Sequence, residues 1–233
     1  MPEPIVMCWS GGKDSELALG ALSRQFDYNV VALLTTVTAG YDRVSMHGVR
    51  RSLLLQQAES LGLPLREVEI PTKASNDIYE ANMAVAFGEF HAQGIRKVAF
   101  GDIFLEDLRE YRQRQLAPLR LECLFPLWQQ DTTELVETFI SDGFRGVTVV
   151  VDPQRLDESF VGREIDREFV AALPPDVDPC GENGEFHSFV YDGPMFADEI
   201  SFSRGEVVQR DSFLFCDLLS DEKSTPASRP IDV

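Results

Sequence analysis

Little in this chain marks a secreted, membrane-spanning or metal-clustered protein. Its four cysteines, Cys8, Cys123, Cys180 and Cys216, lie far apart and form no CxxC pair. That spacing speaks against a disulfide framework and a zinc ribbon. No run reaches the roughly 18 apolar residues that a membrane span needs. The opening "MPEPIVMCWSGG" has no basic segment followed by an apolar one, so no secretory signal is expected. The cytoplasm is the expected compartment, and no membrane partner is expected. Cationic residues are also scarce: 21 Lys and Arg stand against 39 Asp and Glu, a formal net charge of -18. Such a surface repels phosphate backbones and disfavours broad nucleic-acid binding. Only four residues are lysines, at 13, 73, 97 and 223.

What is present is a regular alternation. Apolar runs read as strands at Ile5 to Trp9, Val30 to Val37, "REVEI" and Val98 to Phe100. Helical patterns follow them at Ser15 to Arg24, "GVRRSLLLQQAESLGLPL" and "SNDIYEANMAVAFGEFHAQG", the last with a Ser or Asn cap. Strands alternating with helices predict a parallel α/β sheet, with sites at the carboxyl ends of the strands. The pattern changes near residues 118 to 126. After it come a helix in "TELVETFISDGF", a strand in "RGVTVVVD" and a helix in "GREIDREFVAALPP". A Gly-rich loop, "DPCGENGEFHSFVYDGPMF", leads to hairpin material. There Ile200 to Phe202 and Val207 to Gln209 read as antiparallel strands, with Arg204-Gly205 as the turn. The expected organisation is a domain at 1–122, an α+β domain at 123–219 and a disordered tail at 220–233.

The most informative stretch is "VMCWSGGKDSELAL", between the first strand and the first helix. A strand-to-helix turn presents backbone N–H groups and the positive end of the helix dipole, which suits an anion. Gly11 and Gly12 let the backbone approach phosphates, Lys13 neutralises charge, and Ser10 and Ser15 can donate hydrogen bonds. A plain helix cap by Asp14 or Ser15 is the alternative. Two familiar phosphate loops do not fit. GxxxxGK[ST] would need Gly at Met7 and Ser or Thr at Asp14, and GxGxxG is absent.

SGGKDS instead resembles the signature of the PP-loop, or N-type ATP pyrophosphatase, superfamily. "GDIFLEDLREYRQRQL", "LFPLW" and "DPCGENGEFHSFVYDGPMF" in that order resemble the diphthine–ammonia ligase (DUF71) family, over about Pro4 to Leu218. The late motif departs from the family's usual "EGGEYET", which places the chain in a variant branch more like the bacterial proteins. The resemblance implies a Rossmann-like, HUP-type parallel-sheet domain followed by a smaller α+β domain. It also implies ATP and Mg²⁺. A carboxylate would attack the α-phosphorus, pyrophosphate would leave, and ammonia would displace AMP to give an amide. The partners implied are ammonium and a small-molecule or protein-borne carboxylate; a homodimer is allowed.

The resemblance also distributes roles. Ser10 to Ser15, Gly101, His47 and groups near Leu34 and Thr35 would hold ATP. Asp14 or Asp102 would hold the metal; a helix cap explains Asp102 equally well. Gly181, Glu182, Gly184 and Arg109 would contact the acceptor. Lys13 would act on the leaving pyrophosphate, and Glu185 or His187 would handle a proton. Solvated acids for Glu182 and Glu185, a surface loop histidine for His47 and a salt-bridged helix face for Arg109 are the plainer accounts. Two other functions stay open: a tRNA-modifying PP-loop enzyme and a nucleotide-binding regulator without catalysis. The charge and the absence of paired cysteines count against the first, and the intact Lys13-Asp14-Ser15 against the second.

Overall fold

The computed structural model describes residues 1–44 and 47–221. β1 (Glu3–Cys8) enters the glycine loop, α1 (Lys13–Ser23) leaves it, and β2 (Tyr28–Thr38) returns beside β1. A short β3 (Arg43–Val44) precedes α2 (Arg51–Ser60). β4 (Leu65–Ile70), α3 (Asn76–Ala92), β5 (Lys97–Ala99), α4 (Glu106–Leu116) and β6 (Glu122–Leu124) complete the first sheet. The expected cap of α3 is Ser75, whose side chain accepts from the Ile78 N–H.

The parallel strands lie in the order β4-β2-β1-β5-β6, with β3 antiparallel at the end of β2. Chain order therefore reverses between β1 and β5. The crevice above the carboxyl ends of these two strands is where such sheets bind ligands. This is the parallel α/β sheet expected from the alternating pattern, in the Rossmann-like arrangement that the resemblance implies. Residues of β1 alternate between two cores: Ile5 and Met7 face α1 and α2, and Val6 faces α3.

The second half holds α5 (Thr132–Ser141), β7 (Arg145–Val151), α6 (Arg167–Ala172), β8 (Phe186–Asp192), β9 (Phe202–Arg210) and β10 (Phe213–Ser220). Its sheet is antiparallel, in the order β8-β7-β10-β9. It does not enclose a core of its own. Phe139, Val147 and Phe189 join Leu17, Leu22 and Leu53 of α1 and α2 in one buried cluster. β6 pairs with β5, so Cys123 and Leu124 belong to the first sheet.

One expected turn is wrong. Arg204-Gly205 lies inside β9, which runs unbroken from Phe202 to Arg210. The hairpin turns at Asp211-Ser212, with Arg210 opposite Phe213 and Asp211 at φ +52°. Gly205 sits in the strand because it faces β10 closely: a Cβ there would lie 3.2 Å from the Asp217 carbonyl oxygen. Ser220, expected in the disordered tail, ends β10; the rest of that expectation, at 222–233, lies outside the described residues.

Candidate active site

The loop between β1 and α1 is braced from within and from behind. Ser10 Oγ and Ser15 Oγ share a hydrogen bond of 2.8 Å, and the Gly12 N–H donates to Ser10 Oγ at 3.2 Å. The two serines thus hold the loop's shape. The N-cap of α1 is Gly12, which has no side chain to cap the helix from within the loop. Behind the loop, the Val190 N–H donates to the Gly11 carbonyl at 2.9 Å. The Lys13 N–H donates to Ser188 Oγ at 3.0 Å. Gln57 is fully buried; it accepts from Trp9 Nε1 at 3.1 Å and donates to the carbonyls of Gly11 and Val190. Gly11 has φ +78°, and a Cβ on it would meet Gln57 Oε1 at 2.6 Å. Glycine is therefore required there for both conformation and space.

A cavity of about 440 Å³ opens at the switch point. Its loop wall contains Ser10, Asp14 and Ser15. Leu34 and Thr35 from β2 and Gly101-Asp102 after β5 form the strand-end wall. His47, Gly181, Glu182, Gly184 and His187 close it from the other side. The late glycine-rich motif and the SGGKDS loop thus face one space. Gly101 permits this closeness: a Cβ there would lie 3.0 Å from the Asp14 carbonyl oxygen. Thr35 Oγ1 is buried with no hydrogen-bond partner among the described residues, an orphaned polar atom on the cavity wall.

The charged groups are arranged around Lys13. Lys13 is buried and pairs with the Asp14 carboxylate. Burial pulls its pKa down, but Asp14, Cys180 and Glu182 together outweigh burial and the net shift is upward, so Lys13 stays cationic. Glu182 accepts from the Ile103 N–H at 2.8 Å, which ties the late loop to the segment after β5. Burial pushes the Glu182 carboxyl up to about 7. Burial also lowers the His187 pKa, and its ring lies 4.6 Å from that of His47. Asp102 is raised mainly by burial, against the pull of Arg112.

Several expected roles do not match the placement. Glu185 is buried outside the cavity lining, and its carboxylate turns back into its own loop. It accepts from the N–H groups of Asp178 and Asn183 and from Asn183 Nδ2. It holds the loop's shape, whereas Glu182 and His187 line the cavity. Arg109 also lies off the cavity, with its guanidinium 4.5 Å from the Trp128 ring centre. Lys13, Gly11 and Gly12 sit behind the cavity surface and form the loop's base. Among the described residues, no three His, Cys, Asp or Glu side chains are grouped around one point. Sequence reading missed Gln57 and Ser188. Gln57 and Ser188 carried no local signal, because their partners are distant in the chain. Arg112 was visible only as one member of an arginine run.

Two family models match the chain in sequence. The diphthamide synthase N-terminal domain covers residues 4–116 and the diphthamide synthase C-terminal domain covers residues 131–219. The chain belongs to the diphthamide synthase family. Relatives in this family include "Diphthine--ammonia ligase" of Bos taurus, 23% identical over 76% of this chain and 68% of that protein. The protein of the same name from Homo sapiens is 25% identical over 73% of this chain and 66% of its own length. The chain thus spans about two thirds of the length of these relatives. The solved U34-tRNA thiolase NcsA of Methanococcus maripaludis, with its 4Fe-4S cluster, aligns at a TM-score of 0.37 and 16% identity. That alignment covers 59% of this chain and 55% of the thiolase.

The diphthamide synthase loop carries one unusual neighbour. Glu16 is fully buried, and neither carboxylate oxygen has a hydrogen-bond partner among the described residues. It is absent from the cavity lining, as a loop that receives phosphates requires. Burial raises its pKa well above 4.5. Above that value the unfolded chain releases this proton while the folded chain keeps it. Stability therefore falls as pH rises, by up to about 1.4 kcal/mol per pH unit for this one group. Glu16→Gln is expected to flatten that slope and raise the melting temperature at neutral pH. Thermal unfolding of both proteins from pH 5 to 8 checks it; parallel curves would show that Glu16 ionises freely.

Proposed function

We propose that the chain is an ATP-dependent, AMP- and pyrophosphate-forming ligase that converts a carboxylate to an amide with ammonia. The observation that carries this reading is that the SGGKDS loop and the CGENGEFHS loop line one cavity at the sheet's switch point. The relatives' names supply the reaction type. In this reading the helix N-terminus and Lys13 hold the β- and γ-phosphates, which form the leaving group. The orphaned Thr35 hydroxyl faces the nucleoside. A carboxylate oxygen bonds to the α-phosphorus as the bond to the β-phosphate bridging oxygen breaks. Ammonia then bonds to the acyl carbon, AMP leaves, and the surplus proton passes from nitrogen to Glu182. His187, kept neutral by burial, supports that transfer.

Asp14 and Asp102 fit a Mg²⁺ held mainly by phosphates and water, since both present oxygen to the cavity. Such an ion would neutralise charge on the phosphates. The thiols offer no ready nucleophile for sulfur chemistry. Burial pushes Cys8 and Cys180 up to about 12 and Cys123 up to about 11.

Incubation with ATP, labelled ammonium and an extract of small carboxylates tests the reading by mass spectrometry. AMP and a labelled amide are expected in equal amounts. The rate should rise with pH through about 7, as Glu182 becomes able to accept a proton, and Glu182→Gln should remove that step. ADP as the product, or AMP without a labelled amide, would refute the ligase assignment.

A further inference from the structure

At one end the cavity also has a wall formed by α3 and α4. Arg112 reaches it from α4, and Tyr79, Met83, Phe100, Leu105 and Leu108 form an apolar wall around the guanidinium. The guanidinium lies 4.9 Å over the Phe100 ring centre, and its side chain is 21% exposed. Asp102 is its one carboxylate partner among the described residues, through Nε at a long 3.5 Å. Asp102 feels the charges of both Arg112 and Asp14, so it stands between this end and the phosphate loop.

A largely buried cation on an apolar wall is costly unless it is matched. Tyr79 and Asp102 both engage this guanidinium, but the Asp102 contact is long and runs through Nε, so among the described residues no carboxylate fills the planar fork with two parallel bonds. Such a fork suits a carboxylate bound by two parallel hydrogen bonds. With Asp102 beside it, the net charge here favours a monoanion over a phosphate dianion. The apolar residues suit a hydrocarbon or aromatic body.

We propose that this end is the acceptor pocket and that the acceptor is a small amphipathic carboxylate whose carboxylate docks on Arg112. The proposal rests on the ligase reading above. It moves acceptor recognition from Arg109, which is stacked on Trp128, to Arg112, one turn further along α4. Tyr79 adds a hydroxyl beside the guanidinium.

Isothermal titration of the full chain tests it, with AMP as the nucleotide probe and 4-phenylbutyrate as the carboxylate probe. Hexylamine, of the opposite charge, serves as control. The AMP-loaded protein should bind 4-phenylbutyrate and not hexylamine. Arg112→Gln should weaken 4-phenylbutyrate about tenfold or more while AMP affinity stays within about twofold. Arg112→Lys, which keeps the charge and loses the fork, should fall between them; it decides the matter alone if Arg112→Gln does not fold. Equal 4-phenylbutyrate affinity in wild type and Arg112→Lys would then count against the pocket. No binding to the wild type, or a loss of AMP affinity in its place, overturns the proposal. Failure of AMP to bind the wild type sinks the ligase reading itself, and the proposal with it.

Discussion

Lys13→Ala is expected to lower the rate of AMP formation by about 10²–10³-fold or more, with the fold intact. Lys13 is buried at the base of the phosphate loop and held cationic by Asp14, so no solvent ion can replace it. Removing it leaves Asp14 as an unopposed negative charge beside the leaving phosphates. That repulsion adds to the lost attraction, which is why the effect exceeds that of a surface lysine. Asp14 is 33% exposed, so water can solvate it and the chain should still fold. Lys13→Met keeps the volume and should behave alike. The measurement is AMP release from labelled ATP, with circular dichroism as the folding control. Turnover within a few-fold of wild type in both variants would remove the loop from the chemistry.

Gln57→Leu should produce the largest loss of stability. Its amide joins three buried groups: the Trp9 indole N–H and the carbonyls of Gly11 and Val190. Leucine satisfies none of them. The Gly11 carbonyl keeps the Val190 N–H, so the groups stranded are the indole N–H and the Val190 carbonyl; at about 1–3 kcal/mol each they cost about 4 kcal/mol together. For a chain of this length that lowers the melting temperature by about 8–16 °C. Because the stranded groups flank the loop, nucleotide affinity should fall too. Thermal unfolding with and without ATP reads both effects. An unchanged melting temperature would mean that water replaces the amide.

Four strands of the first sheet were legible because an apolar or alternating run precedes each helical pattern; β3 and β6, of two and three residues, carry no such run. Ser75 and the glycine loop carried their signals within six residues. The second sheet was less so. Gly205 resembles a turn when only its neighbours are considered, yet its reason is Asp217 on the next strand. Glu185 and Glu182 are alike as letters; only the folded loop turns one inward and leaves the other facing the cavity. Arg109 and Arg112 share a helix, and three residues of helical rotation separate an aromatic stack from a cavity wall. Glu16 was visible as an oddity beside the signature, but its lack of any partner depends on packing from both halves.

The contact between Lys13 and Ser188 joins residues 175 positions apart. During synthesis the phosphate loop therefore emerges long before β8. The nascent chain can begin its parallel sheet, but the brace behind the loop cannot close until β8 has emerged. A chain terminated before β8 would carry the signature without the brace.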